Sequence, residues 1–386
     1  MEFRRRLVRL LLPATFLLTL FGYMVGCRSM SQTRQAEAKP AELVIGADLP
    51  MSGPTADWGR AAYRGAELAV EQLERKGIRL QLLPAEDNRG DASEAADAFR
   101  RLVAIHGAKA VVGPITSTNA ESAARVADEL KVPFVSPAAT DWALTRDSAY
   151  AFRACFIDEF QGRILATFAR TDLNASNAAI VLDSSDAYSA GLARVFQQTF
   201  TALGGRATEL SIKMNEREFG PQISRIATSV KPDLVFVAAN YPQVGAFVRQ
   251  LRREGVTIPL LAGDGAHSPE LFKLAGSAAE GVYVASHFAP DSSNATVHQF
   301  VQDYKQRFSE SPNVAAALSY DSVLMVGYGF ANMQPNESLR DAIASTKGLN
   351  GVTGTISLDS ERNPIKSVVI LKAVAGEFRF VKTVSP

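Results

Sequence analysis

Cysteine is nearly absent. Cys27 and Cys155 are the only two in 386 residues, which excludes a disulfide framework and leaves too few thiolates for a cysteine-based zinc site. The four histidines, His106, His267, His287 and His298, have no metal-ligand spacing; His267 and His287 fall in expected loops, where a solvated or core role outweighs ligation. Charge of either sign is also close to balanced, at +1 overall. Arg4, Arg5, Arg6 and Arg9 stand against Glu2 in the first 26 residues, so the remainder sits near −2 and offers no basic face for nucleic acid. No Walker A loop occurs, and the turn after the first expected strand, IGADLPMSGP at residues 45–54, lacks the dinucleotide spacing. GDGAHS at residues 263–268 is not a nucleophile elbow, and the pair Asp183 and Asp186 reads more readily as helix caps than as an acid/base couple. The expectation is a protein that binds without catalysis and without a cofactor or metal.

What is present is a chain with 47% hydrophobic and 21% charged residues, enough for two ordinary cores. It opens on a cationic stretch at residues 4–9, then a charge-free apolar stretch at residues 10–26 that ends in Met24-Val25-Gly26-Cys27. This resembles a bacterial lipoprotein signal, in which the cysteine is lipidated after cleavage; a short uncleaved anchor is the other reading. Residues 1–26 are then the signal peptide, Cys27 the lipidation site and residues 28–41, polar and poor in large apolar side chains, a tether. Either way the folded part lies outside the cytoplasmic membrane, held to it on the first reading through the lipid on Cys27.

Short apolar runs then alternate with helical periodicity. Strands are expected at residues 43–47, 78–83 and 110–112, with helices at 60–76, 93–106 and from 118 onward. The pattern begins again after residues 150–155 and forms a second half of about equal size, followed by helices at 295–308 and 314–332 and a strand-rich tail. Such alternation predicts an α/β protein of two Rossmann-like lobes, each a parallel sheet flanked by helices, with several crossings between them. The boundaries expected are residues 42–157 plus 288–365 for the first lobe and 158–287 plus 366–386 for the second.

Residues 109–140 are the most informative stretch. A strand breaks at Gly113-Pro114, Ser117 is placed to cap a helix starting at Thr118 or Asn119 with Glu121 in its first turn, and a second strand stops at Ser136-Pro137 before a loop of Ala138, Ala139 and Thr140. In a parallel sheet both turns fall at the carboxyl edge of neighbouring strands. There the hydroxyls of Ser117 and Thr140, with free backbone N–H groups, form a cradle for a small carboxylate or phosphate. Singly, Ser117 reads as a cap and Thr140 as a turn residue; their joint placement makes the cradle.

The chain after Ala41 resembles a family: the type I periplasmic binding proteins of ABC transporters, in the branched-chain amino acid group. MSGPTADWG (51–59), VVGPITST (111–118), VSPAAT (135–140), LDSSDAYSAGLA (182–193), AANYPQVGAFVRQLRREG (238–255) and the LAGDG turn (261–265) carry the resemblance in order. It implies that Ser117 and Thr140 bind the ligand carboxylate, that Asp264 and the Ala138 carbonyl receive its ammonium, and that Trp58, Tyr188 and Tyr241 shape the side-chain pocket. Neutral donors then meet one end of a zwitterion and a lone carboxylate the other. Asn240 stands where the family often has tyrosine, and Asp264 where a longer glutamate is common; the family's disulfide has no counterpart. The resemblance further implies a substrate-binding protein that closes by hinge bending on an amino acid or related zwitterion and delivers it to permease subunits. Two other readings of the same fold are an envelope lipoprotein acting as a regulator through contacts with a partner, and a sensor of amides or small acids.

Overall fold

The computed structural model describes residues 42–213 and 215–386. The signal, Cys27 and the tether lie outside the described residues. The first strand, β1 (Leu43–Leu49, LVIGADL), is buried almost throughout, as a central parallel strand with helices on both faces must be. It is followed by α1 (Ala56–Arg75), β2 (Leu80–Leu82), β3 (Glu86–Asp87), α2 (Ala92–Ala104), β4 (Ala110–Val112), α3 (Ser117–Leu130), β5 (Phe134–Ser136), α4 (Ala143–Asp147) and β6 (Ala151–Arg153). The strands lie in the order β2-β1-β4-β5-β6, with β3 beside β1, all parallel. The order reverses between β1 and β4, so a crevice opens beyond their carboxyl ends.

The second lobe repeats the scheme with α5 (Asp158–Thr171), β7 (Asn177–Leu182), α6 (Ala187–Ala202), β8 (Arg206–Ser211), α7 (Gly220–Arg225), β9 (Leu234–Ala238), α8 (Tyr241–Arg253), β10 (Leu260–Ala262), α9 (Glu270–Ala275) and β11 (Tyr283–Ser286). The chain then returns to the first lobe through α10 (Ala295–Phe308), α11 (Val314–Asn332), α12 (Leu339–Ala344) and the small hairpin β12 (Leu349–Gly351) and β13 (Gly354–Ile356). It ends in the second lobe with β14 (Val368–Val374) and β15 (Glu377–Val384). The second sheet runs β15-β14-β11-β10-β9-β7-β8, parallel except for its last two strands, which pair antiparallel.

Three segments therefore join the lobes, at residues 154–157, 287–294 and 357–367. Burial follows the same division: one core runs from Leu43 to Cys155 and resumes from Phe288 to Leu358, and the second lobe's two cores take in Phe156 to Ala289 and Val368 to Ala373. α11 is apolar enough to cross a membrane by length and composition, yet 83% of its apolar window is buried in the protein, as in a core helix. It packs on α1 so closely that a Cβ at Gly65 would lie 2.1 Å from the Ala316 carbonyl oxygen. The third crossing is tied down by Lys366, which is fully buried and donates to the Ala154 carbonyl (2.9 Å) and to Thr353, with Asp321 of α11 at 3.9 Å.

Several elements differ from expectation. α3 begins at Ser117, one residue early, and Thr116 occupies the N-cap position. Glu86 and Asp87 form a short strand where none is expected, paired with Asp48 and Leu49. The Asp87 carboxylate holds that segment by accepting from the amides of Met51 (2.9 Å) and Ser52 (3.1 Å). α7 is continued by a wider turn, Ile226–Val230, which ends at Lys231 in the left-handed region.

Candidate functional site

In the first lobe, β4 is followed by Gly113, whose φ of 98° and close approach to the Asp48 carbonyl leave no room for a Cβ. The chain turns there and presents Ile115, Thr116 and Ser117 at the start of α3. The turn after β5 is fastened to it: Ser136 donates to the Pro114 carbonyl (2.5 Å) and accepts from the Ala139 amide (3.1 Å), while the Ser117 hydroxyl accepts from the Asp141 amide (3.2 Å). Beneath them lies Arg153, fully buried, donating to the carbonyls of Ala139 (2.9 Å) and Asp141 (2.7 Å). The sequence reading did not anticipate this arginine, which looks from its strand position like an ordinary edge residue.

In the second lobe the turns after β7, β9, β10 and β11 meet the first lobe. Asp186 caps α6 by accepting from the Ser189 amide (2.9 Å). Tyr188, in the first turn of that helix, accepts the Gly265 amide at 2.9 Å; burial and the nearby Asp264 and Asp158 hold its phenol protonated, well above the usual range. Gly263 and Gly265 flank Asp264 because a Cβ on either would collide with the Tyr188 ring or hydroxyl. The Asp264 carboxylate accepts from Gln161 Nε2 (3.0 Å) and His287 Nε2 (2.9 Å), and its amide donates to Gln161 Oε1 (2.7 Å). Burial drives the His287 pKa down, so the ring is a neutral donor.

The lobes are closed on each other. Thr118 donates to Asp186 (2.8 Å), the Tyr241 hydroxyl to the Pro54 carbonyl (3.0 Å) and Ser268 to Asp57 (3.3 Å), and Trp58 meets Tyr241 edge-on with ring centroids 5.1 Å apart. The cavity this closure encloses has a volume of about 20 Å3, the space of roughly one water. Trp58, Ser117 and Ala138 line it from the first lobe and Tyr188 and Asp264 from the second, so five of the eight expected ligand residues share it. Ile115, Val314, Ala315 and Leu318 supply most of the apolar wall, and Thr116, Asn240 and His287 complete it.

Ala139, Thr140 and Tyr241 stand behind this wall in the closed form. The Ala139 carbonyl is taken by Arg153, and the Thr140 carbonyl accepts the Asp158 amide (3.0 Å) while its buried hydroxyl lies against the Asp158 carboxyl. Burial and the neighbouring Asp264 and Asp141 raise the Asp158 pKa well above the carboxylate range. Tyr241 acts as a buttress for Trp58 rather than as a wall. Gln161 and His287 escaped the sequence reading because nothing local marks them; His287 showed only as a loop histidine. The other loop histidine, His267, is buried against Ser286 (2.7 Å), its pKa pushed down to about 3.

The chain as a whole is similar to proteins of known kind. The family model described as periplasmic binding protein matches residues 42–376. The Leu/Ile/Val-binding protein BraC3 of Rhizobium johnstonii is 32% identical over 62% of this chain and 66% of its own; the chain spans just under two thirds of the length of the first curated relatives it matches. The crystal structure of the leucine binding protein LivK of Thermotoga maritima superposes with a TM-score of 0.84 at 32% identity, covering 89% of this chain and 99% of that one. LivJ of Streptococcus pneumoniae, solved in complex with isoleucine, gives 0.84 at 29% identity over 90% and 100%. Matched along nearly all of its described length, this chain belongs to the type I periplasmic binding proteins, in the group of the branched-chain amino acid receptors.

Proposed function

We propose that this protein is the extracytoplasmic receptor of an ABC transporter, that it binds an α-amino acid with a compact apolar side chain between its lobes, and that it is held to the membrane by a lipid on Cys27. One observation carries the reading: Ser117 and Asp264, from opposite lobes, face one cavity whose other walls are largely apolar. A zwitterion seated there places its carboxylate at the start of α3, where Ser117 and the first-turn amides donate, and its ammonium between Asp264 and the Ala138 carbonyl. Thr140 joins the carboxylate as the lobes part to admit the ligand. The ligand bridges both lobes in a closed form wider than this one, whose cavity has room for roughly one water; its binding favours that closure, and the closed face is what permease subunits recognise. Binding and release are the whole of the chemistry; no bond is made or broken.

The size of the closed cavity favours a second reading. A cleft largely filled by the protein's own side chains suits an envelope lipoprotein that regulates a partner through its surface. A thermal-shift screen of amino acids, amides and short carboxylates separates the two, since a ligand held at 100 times its Kd stabilises by about 2.7 kcal/mol. Raised melting by an aliphatic amino acid supports the receptor; no shift with any of the panel supports the regulator. In the receptor, Asp264→Ala weakens amino-acid binding by about 2–4 kcal/mol, read by calorimetry, because the ammonium is left unpaired.

A further inference from the structure

We propose that Gln161 and His287 are the positioning residues of the ammonium-binding carboxylate: together they hold Asp264 aimed into the cleft, and His287 links it to the hinge. The proposal rests on the reading of Asp264 given above and adds what that carboxylate depends on.

Asp264 sits in a single short turn between two glycines, with no bulk of its own neighbours to brace it. Its bracing comes from far along the chain. Gln161, in the first turns of α5 and wholly buried, grips the residue at two points: its carbonyl oxygen takes the Asp264 amide at 2.7 Å and its amino group gives a hydrogen to Oδ1 at 3.0 Å. The same amino group reaches Asp158 Oδ1 at 3.0 Å, so all of its hydrogens are committed and the amide cannot rotate without losing every contact. His287 takes the other carboxylate oxygen at 2.9 Å. With the Tyr188 hydroxyl also hydrogen-bonded to it, a carboxylate held by a donor on each oxygen has a fixed plane, yet it keeps acceptor capacity for a ligand N–H.

The histidine is placed where two hinge segments touch. It is the first residue of the second crossing, and its ring stacks on Phe156 of the first crossing with centroids 3.6 Å apart and planes at 27°. The groups facing it are Asp264 from the turn after β10, the Phe156 ring, His267 from the same side of the sheet and Lys366 from the third crossing. Burial, with the Lys366 ammonium, outweighs the pull of Asp264 and keeps the imidazole neutral, so it donates to Asp264 without cancelling the charge that an ammonium needs. Rotation at the hinge displaces Phe156 against the ring, and the ring carries Asp264; ammonium binding and closure are thereby joined.

The experiment uses the full chain without its signal. In 15N-resolved imidazole spectra of the ligand-free protein, His287 is expected as a neutral ring protonated at Nε2 at neutral pH, with that proton's hydrogen-bonded signal lost in Asp264→Ala. A ring protonated at Nδ1 alone, or one that is cationic at neutral pH, overturns the proposal. The second arm titrates L-leucine and its deaminated analogue 4-methylpentanoate into wild type, His287→Phe, which keeps the stack and removes the donor, Gln161→Leu and each of these with Asp264→Asn. Each single variant is expected to weaken leucine at least tenfold, leave the analogue within threefold, and cost nothing further once Asp264 is asparagine; His287→Gln, which restores a donor, recovers most of the loss. Full additivity in the double variants, or equal losses for leucine and its analogue, overturns the positioning role. If Asp264→Asn binds leucine as wild type does, or wild type does not bind leucine, the ammonium reading fails instead, and the imidazole spectra still decide whether His287 holds Asp264. Should His287→Phe not fold, Gln161→Leu carries the same cycle from the opposite oxygen.

Discussion

Arg153 shows how a buried charge can brace a loop of the inter-lobe cleft from behind. Its guanidinium is sealed from water and spends its hydrogens on the carbonyls of Ala139 and Asp141, so two backbone oxygens that face away from the cleft are satisfied and the Ala138 turn is held against Ser117. Arg153→Met leaves those carbonyls without their donor and the nearby Asp141 and Asp158 without its positive charge. Urea unfolding is expected to show a loss of about 3 kcal/mol, the cost of breaking a buried charged network from one side. Such a residue is invisible along the sequence because its partners lie 12 to 14 positions away and are backbone atoms. Asp264 is different: its place between two glycines in LAGDG is legible, and only the reason for those glycines, the Tyr188 ring and hydroxyl packed over the turn, needs coordinates.

At the scale of elements, the strand and helix succession from β1 to α11 follows from periodicity, since long amphipathic helices between short apolar runs have few alternative folds. The discrepancies are all at ends or in short pieces. Ser117 satisfies the rule for a cap but sits inside α3, because the turn from Gly113 already positions Thr116 as the capping residue, and the freed Ser117 hydroxyl takes the Asp141 amide instead. α4 has five residues and no periodicity to betray it. The α1–α11 contact depends on one glycine: replacing Gly65 with valine forces the helices apart where the Ala316 carbonyl lies, and denaturation is expected to show a loss of about 3 kcal/mol with the loss spread over both helices in hydrogen exchange.

For the whole molecule, closure brings carboxylates from both lobes together. Glu121 on α3 faces Asp141 from its own lobe and Asp186 at the start of α6 from the other, with Arg125 as the nearby cation. Burial first, then these two acids, raise its pKa from 4.5 to about 7. Between those values the closed protein keeps a proton that the unfolded chain has released, so stability falls as pH climbs through that window. Glu121→Gln is expected to remove that fall and to raise stability at pH 8 by about 1 kcal/mol, a figure reduced because the side chain is partly in water; thermal melts between pH 4.5 and 8 read it. The same face holds Thr118 against Asp186, so a more compact solution scattering profile in the variant at pH 8 is expected as well.

All of this turns on an amino acid lying between Ser117 and Asp264. The most direct measurement is a crystal structure of the protein grown with L-leucine. It is expected to place the ammonium within hydrogen-bonding distance of Asp264 and the Ala138 carbonyl, and the carboxylate at the Ser117 hydroxyl, with the lobes closed around it. Leucine bound outside the inter-lobe cavity, or with its carboxylate turned toward Asp264, contradicts the account.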